Sequence, residues 1–184
     1  LREAIAVYLG QSRGVRCHAG QVMVLTSSQQ ALQMIALLLC DPGDRVWLEA
    51  PGYPGAWQAF NGAGAVVEDI PLDDQGAQIP TDAPPPRLVY LTPSHQYPTG
   101  ITLGLQRRLA WLAFARQQGC WLIEDDYDSE FHYDGRPMPA LQGLEPDART
   151  LYVGTFSKVL FPSLRLAYLV VPEGLIDALR RLRS

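Results

Sequence analysis

The chain has 184 residues, of which 47% are hydrophobic and 18% charged, as expected of one globular domain with a sizeable core. Its formal net charge of −4 at pH 7 argues against binding of nucleic acid by this chain itself, because phosphate binding requires a basic face. No apolar run approaches the roughly 20 residues that cross a bilayer. Cys17, Cys40 and Cys120 are too far apart for a disulfide framework or a metal cluster, so we expect reduced thiols, no metal site and a cytoplasmic protein.

Helical and extended patterns alternate along the whole chain. Helices are indicated where apolar residues recur at helical spacing before a glycine or proline stop, and strands where short runs are apolar and β-branched. In chain order we predict a helix at 2–13, a strand at 21–26, a helix at 28–40, a strand at 45–50, a turn and helix within 51–64, a strand at 65–72, an irregular loop at 73–86, a strand at 87–93, a helix at 103–119, strands at 120–126, 150–156 and 165–171, and a helix at 173–184.

These seven strands are apolar throughout, which predicts a sheet that is covered on both faces. The fold class we expect is α/β, with three layers (α/β/α) and a mostly parallel seven-stranded sheet. Ligands of such sheets bind beyond the carboxyl ends of the strands. The polar clusters "TSSQQ", "EAPGYPG", "TPSHQYPTG", "EDDYDSEF" and "GTFSK" all fall at predicted strand ends, so we expect one site there.

Lys158 is the only lysine in the chain. A lysine amine can form a Schiff base with a carbonyl, and an apolar setting makes it more nucleophilic by lowering its pKa. Most lysines are surface residues in weak salt bridges, but the flanks of this one argue against that reading. Thr155 and Ser157 supply hydroxyl groups, and Arg165 supplies a cation whose planar fork can bond two oxygens of a phosphate.

A second phosphate contact is indicated at "TSSQQAL", where a strand passes into a helix. Free backbone N–H groups and the helix dipole favour an anion at such a junction, and Ser28 and Gln29 would be the donors. A plain helix cap is the simpler explanation of this pattern taken alone.

Two further clusters suit a planar ring. Glu124, Asp125, Asp126 and Asp128 crowd together, which costs repulsion unless a cation or a protonated ring takes up charge. A carboxylate beneath a pyridine nitrogen would keep that nitrogen protonated and make the ring an electron sink. Tyr53, on a proline-rigid turn, could stack on such a ring. Taken separately, a solvated acidic loop and a core tyrosine are the plain alternatives.

A phosphate, a protonated planar ring and a carbonyl held by one lysine occur together in pyridoxal 5′-phosphate (PLP). The motifs that suggest it also carry a resemblance. "TSSQQAL", "EAPGYPG", "TPSHQYPTG", "IEDDYDSEFHYDG" and "GTFSKVLFPSLRLAYLV" run in family order over nearly the full chain. The sequence resembles the fold-type I PLP family, specifically the aminotransferase-like domain of MocR-type (GabR-like) bacterial transcription regulators.

The resemblance implies a role for each site residue. Lys158 would form the internal aldimine, Asp125 would pair with the pyridine nitrogen, Tyr127 would hydrogen-bond the phenolic oxygen of the ring, and Tyr53 would stack on the ring. Asp126 would support the residues that contact the cofactor or be structural. The phosphate would be held by Ser28, Gln29, Thr155, Ser157 and Arg165.

The sequence departs from the pattern of ordinary aminotransferases of this fold in three ways. Tyr97 stands where they carry an asparagine that contacts the ring oxygen, so Tyr127 would carry more of that contact. Ser27 stands where glycine is common in the phosphate-binding turn. Finally, we expect residues 1–184 to be the PLP-binding large domain alone, without the winged helix-turn-helix that binds DNA or the C-terminal small domain.

The function implied is that of an effector domain. In the intact regulator, which the resemblance implies is a homodimer, an amine or amino acid would form an external aldimine with PLP and thereby change DNA binding by the winged helix. The chain alone is not expected to complete transamination. Two alternatives stay open, namely a true aminotransferase of the kynurenine/aminoadipate type and a cofactor-free remnant of the fold.

Overall fold

The computed structural model of the chain describes residues 1–128, 138–145, 149–156 and 165–183. Six helices and nine strands are found in these ranges. The helices are α1 Arg2–Arg13, α2 Ser28–Leu39, α3 Pro54–Gly62, α4 Leu105–Gln118, α5 Leu141–Leu144 and α6 Ile176–Arg183. The strands are β1 Val22–Leu25, β2 Arg45–Glu49, β3 Val66–Ile70, β4 Leu72–Asp73, β5 Gly76–Ala77, β6 Leu88–Leu91, β7 Trp121–Asp126, β8 Thr150–Thr155 and β9 Ala167–Val170.

Local sequence signals account for the helix ends. The side chain of Ser27 accepts a hydrogen bond from the Gln30 N–H and so caps the start of α2. Helices α1 and α4 each end at a glycine in the left-handed conformation, Gly14 with φ 66° and Gly119 with φ 67°, which residues with a Cβ adopt at a cost. These ends fix where the chain leaves each helix for the next strand.

Seven strands form one sheet in the order β1-β9-β8-β7-β6-β2-β3. Strand β9 runs antiparallel to both of its neighbours, β1 and β8, and every other pair in this sheet is parallel. The parallel strands therefore bring their carboxyl ends to one edge of the sheet, where a ligand site is expected.

The core lies on both faces of the sheet. One face packs against α2, α3 and α6, and the other against α1, α4 and α5. Because alternate residues of a strand face opposite sides, Ile123 of β7 contributes to the first core and Leu122 to the second. The three-layer α/β/α class predicted from the sequence is confirmed.

Two short elements were not predicted. Strands β4 and β5 pair as a small antiparallel hairpin that begins at the last residue of the predicted strand 65–72 and continues into the predicted irregular loop. Gly76, the first residue of β5, has φ 99°, a left-handed conformation that glycine adopts more easily than other residues, and it lets the chain enter this hairpin. Helix α5 is a single turn whose local sequence carries no helical periodicity.

None of the helices in the described ranges combines the length and apolar character that crossing a bilayer requires. Within the same ranges, no group of three or more histidine, cysteine or acidic side chains is arranged to hold a metal ion.

Candidate functional site

A cavity of about 150 Å³ opens at the carboxyl edge of the parallel strands, on the α2/α3 side of the sheet. The carboxyl ends of β1, β2, β6, β7 and β8, or the segments that follow them, all contribute to it. Five of the nine residues predicted for the site line this cavity, together with three others. The lining residues are Ser28, Tyr53, Tyr90, Thr92, Tyr97, Asp125, Tyr127 and Thr155.

Asp125 supplies the carboxylate of the cavity. It is the penultimate residue of β7 and only 4% exposed. The hydroxyl of Tyr90, on the neighbouring strand β6, donates a hydrogen bond to Asp125 Oδ2 at 2.7 Å. The strand alternation that brings Asp125 to the cavity turns Glu124 and Asp126 towards the opposite face. The acidic cluster of the sequence is therefore divided between two environments.

On the opposite face, each of the two other carboxylates meets a buried arginine. Arg13 Nε lies 2.7 Å from Asp126 Oδ2, and Tyr152 donates its hydroxyl to the same oxygen. Arg108 Nη1 lies 3.6 Å from Glu124 Oε1. Burial still raises the pKa of Glu124 to about 7, although Arg108 acts in the other direction. These pairs place Asp126 in the core between α1 and the sheet and outside the cavity lining.

Three tyrosines form the aromatic wall of the cavity. The ring of Tyr97 meets Tyr53 and Tyr127 edge-on, at centroid distances of 5.8 Å and 6.1 Å. Burial, followed by the charge of Asp128 and Asp125, raises the pKa of Tyr127 to about 12. Tyr127 therefore keeps its proton at neutral pH and can donate a hydrogen bond to a ligand oxygen.

The backbone of Tyr97 is held by a chain of hydrogen bonds that starts at the buried Glu49. Thr92 donates its N–H at 3.0 Å and its hydroxyl at 2.6 Å to Glu49 Oε2. The same hydroxyl oxygen accepts from the Tyr97 N–H at 3.0 Å. The amide of Gln96 bridges to the Pro51 carbonyl at 2.9 Å. The end of β2 thus fixes the loop that carries Tyr97.

The start of α2 forms the polar side of the cavity. Ser27 caps the Gln30 N–H, so the N–H groups of Ser28 and Gln29 remain outside the hydrogen bonds of the helix itself. The side chain of Gln29 points elsewhere, because its Nε2 donates to the Gly55 carbonyl at 2.9 Å. Gln29 can therefore offer a ligand its backbone N–H. Thr155, at the end of β8, lines the same cavity.

The structure describes only one of the three remaining predicted residues, Arg165. Arg165 is exposed, has φ 45°, and is absent from the lining formed by the described residues. Ser157 and Lys158 lie outside the described residues.

Sequence reasoning did not identify Tyr90 and Thr92 as site residues. Both occur in "RLVYLTP", where after Arg87 they are the polar members of an otherwise apolar run and stand two residues apart. A spacing of two places both side chains on one face of a strand. This signal could have assigned them to the site from the sequence.

Comparison with known proteins agrees with this fold. The family model for aminotransferase class I and II matches residues 1–184. The probable rhizopine catabolism regulatory protein MocR of Rhizobium meliloti is 44% identical over 185 residues, which covers 100% of this chain and 38% of that regulator. The chain thus spans about two fifths of the length of this curated relative.

Solved structures of enzymes superimpose on the chain as well. Kynurenine aminotransferase of Pyrococcus horikoshii, in complex with PMP, has a TM-score of 0.88 at 33% identity, covering 97% of this chain and 46% of that one. The α-aminoadipate aminotransferase LysN of Thermus thermophilus, complexed with N-(5′-phosphopyridoxyl)-L-leucine, has a TM-score of 0.87 at 32% identity. The match covers 98% of this chain and 47% of that one.

The family and these neighbours are PLP-dependent. The family match covers every residue, and the resemblance to MocR-type regulators that the motifs predicted is confirmed by the 44% identity. The chain belongs to the aminotransferase class I and II family, and its likeness extends to the aminotransferase-like part of a MocR-type regulator.

Proposed function

We propose that this chain is the PLP-binding effector domain of a MocR-type transcription regulator whose effector is an amine or amino acid. The observation that carries the proposal is the cavity, which places a buried carboxylate, a wall of tyrosines and a helix start around one space. The 44% identity to MocR over the whole chain supports the regulator class.

The residues of the cavity fit PLP by the chemistry of their donors and acceptors. Asp125 would accept a hydrogen bond from the protonated ring nitrogen, Tyr53 would pack against the ring, and Tyr127 would donate to the ring oxygen. The Ser28 and Gln29 N–H groups and the Thr155 hydroxyl would bind the phosphate. PLP would supply an aldehyde that reacts with primary amines and a ring that withdraws electrons.

Lys158, Ser157 and Arg165 complete the proposed set. Lys158 would provide the amine that holds the cofactor aldehyde, because it is the only lysine of the chain. Ser157 and Arg165 would add to the phosphate contacts. Arg165 is exposed at the entrance to β9, so we propose that its guanidinium reaches the phosphate only when the cofactor is bound.

The second candidate is a true aminotransferase of the kynurenine/aminoadipate type. The likeness in fold to the P. horikoshii and T. thermophilus enzymes favours it, whereas the higher identity to MocR favours the regulator. A winged-helix segment encoded upstream of Leu1 would decide for the regulator. Steady production of glutamate or another amino acid from a keto acid by the intact protein, with matching conversion of an amino-acid donor into its keto acid, would decide for the enzyme.

The domain organisation, oligomeric state and location of the protein are part of the same proposal. We propose that residues 1–184 form the large domain of a longer protein that works as a homodimer in the cytoplasm. Contact with DNA would pass through a winged-helix domain outside this chain. The acidic net charge of −4 supports this, because a chain that bound DNA directly would need a basic face.

An absorbance titration with PLP tests the cofactor proposal. The wild-type chain should shift the visible absorbance of PLP, as lysine amines do on binding it. Lys158→Ala should abolish the shift, and Lys158→Arg should abolish it too, because arginine keeps the charge but lacks the reactive amine. A wild-type chain that leaves the PLP spectrum unchanged would favour the cofactor-free remnant and overturn the proposal.

A further inference from the structure

Tyr90 is a lining residue of the cavity whose hydroxyl donates a hydrogen bond directly to the Asp125 carboxylate. It lies in β6 with its ring 2% exposed in the core on the α2/α3 side. Its register partner on β7 is Ile123. Asp125 is two residues further along β7, on the same face, within diagonal reach of a tyrosine side chain. The resulting distance from Tyr90 Oη to Asp125 Oδ2 is 2.7 Å.

The direction of this hydrogen bond follows from the chemistry of its partners. An ionised carboxylate only accepts, so the phenol of Tyr90 donates. Burial, and then the charge of Asp125, raises the pKa of Tyr90 well above its ordinary value. The phenol therefore stays protonated, and the donor is present at every physiological pH.

The hydrogen bond from Tyr90 restricts the terminal side-chain torsion of Asp125. The terminal torsion of an aspartate side chain has a broad distribution, because it joins sp³ and sp² atoms. A donor fixed at 2.7 Å from Oδ2 by a fully packed ring selects one orientation of the carboxylate plane. Tyr90 cannot itself swing away, since its ring is part of the core beneath α2 and α3.

We propose that Tyr90 is a positioning residue that orients the Asp125 carboxylate towards the ring nitrogen of the cofactor. The proposal rests on the proposed PLP function and extends it, because it makes recognition of a protonated ring nitrogen depend on a phenol of the neighbouring strand. Tyr90 acts through Asp125 and contributes no reacting group of its own.

The chain contains a matched control for this pair. Tyr152 on β8 donates its hydroxyl to Asp126 on β7, so a second buried tyrosine–aspartate pair lies on the opposite face of the same strand. Tyr152 is 1% exposed and lies outside the cavity. Tyr152→Phe therefore removes the same kind of hydrogen bond without touching the site.

The test compares PLP with 1-deazapyridoxal 5′-phosphate, in which a C–H group replaces the ring nitrogen. Affinities of the wild type, Tyr90→Phe and Tyr152→Phe for both compounds are measured by titration. The wild type should prefer PLP by roughly 10- to 100-fold, as expected for one hydrogen bond to a charged group. Tyr90→Phe should lower this preference by about 5- to 10-fold, mainly through weaker binding of PLP.

A purely structural role predicts a different pattern. A general loss of packing around the cavity would lower the affinity for both compounds equally and leave the ratio of the two affinities unchanged. Tyr152→Phe should leave both affinities and their ratio unchanged, with any effect limited to the midpoint of urea unfolding. Tyr90→Met is made alongside Tyr90→Phe, because the flexible methionine fills the space differently and keeps the test available if the phenylalanine variant does not fold.

The outcomes separate the two proposals. An unchanged preference for PLP in either folded Tyr90 variant overturns the role of Tyr90 and leaves PLP binding intact. Equal affinity of the wild type for both compounds also overturns it, because Asp125 would then not hold the ring nitrogen. A wild type that binds neither compound overturns the proposed function and this inference together.

Discussion

Gly55 decides where the ring of Tyr53 can lie. It is the second residue of α3, and a Cβ built on it would come within 2.5 Å of Tyr53 Cζ and would also overlap the Gln29 amide. That amide bonds the Gly55 carbonyl and lies 3.4 Å from the Tyr53 hydroxyl. The glycine is therefore required by the close packing of two side chains at the edge of the cavity.

Gly55→Ala should displace the Tyr53 ring, although alanine is the better helix former. Overpacking of this kind costs about 1–3 kcal/mol, more than the gain of up to about 1 kcal/mol from helix propensity. We expect weaker PLP binding in a titration and a lower free energy of unfolding. Gly62→Ala is the control, since a Cβ added at that position meets no other atom within 4 Å. Equal PLP affinity in the two variants would contradict this account.

At the scale of elements, α1 is joined to the sheet by a buried charge pair. Arg13 is the last residue of α1 and is 5% exposed. Besides its contact with Asp126, it donates from Nη2 to the Ser94 hydroxyl at 2.6 Å. Ser94 belongs to the loop after β6 that also carries Tyr97. The guanidinium of Arg13 therefore links the end of α1, strand β7 and a loop of the site.

Arg13→Met should lower the free energy of unfolding by about 3–5 kcal/mol, because Asp126 would stay buried without its cation. The double variant Arg13→Met/Asp126→Asn should recover much of this loss, since the neutral amide can still accept from Tyr152. Urea unfolding of both variants measures the difference. If the double variant were no more stable than the single one, packing and not the uncompensated charge would be the cause.

At the scale of the whole molecule, the sequence predicted the seven strands, the mostly parallel sheet and the edge that carries the site. These features depend on local periodicity and on the position of polar clusters at strand ends. Ser28, Tyr53, Asp125, Tyr127 and Thr155 were brought together because each lies at or just beyond the carboxyl end of a strand of the sheet.

What the sequence did not reveal are contacts between residues far apart in the chain. The pair Arg13–Asp126 joins residues separated by 113 positions, and Tyr90–Asp125 joins residues separated by 35. No local pattern marks a buried arginine in an amphipathic helix as the partner of a particular carboxylate. The alternation along β7 could have separated Asp125 from its acidic neighbours, but their partners required the three-dimensional structure.

The stability of the whole molecule should depend on pH through Glu49. Burial raises the pKa of Glu49 from 4.5 to about 7, while its hydrogen bonds from Thr92 and Gln96 act in the opposite direction. Between these two pH values the folded chain binds more protons than the unfolded chain. The stability that this group contributes is therefore fully present below about pH 4.5 and is lost as the pH rises through about 7.

Glu49→Gln should remove this dependence, because glutamine stays neutral and its amide oxygen can still accept from Thr92. Urea unfolding between about pH 5 and about pH 8 gives the free energy of unfolding of both proteins. The wild type should lose up to about 3 kcal/mol relative to the variant over this range. Taking the difference cancels the contribution of Glu124, whose raised pKa is common to both. Parallel pH profiles would mean that Glu49 does not titrate in this range, and a wild type that gains stability relative to the variant would reverse the predicted sign.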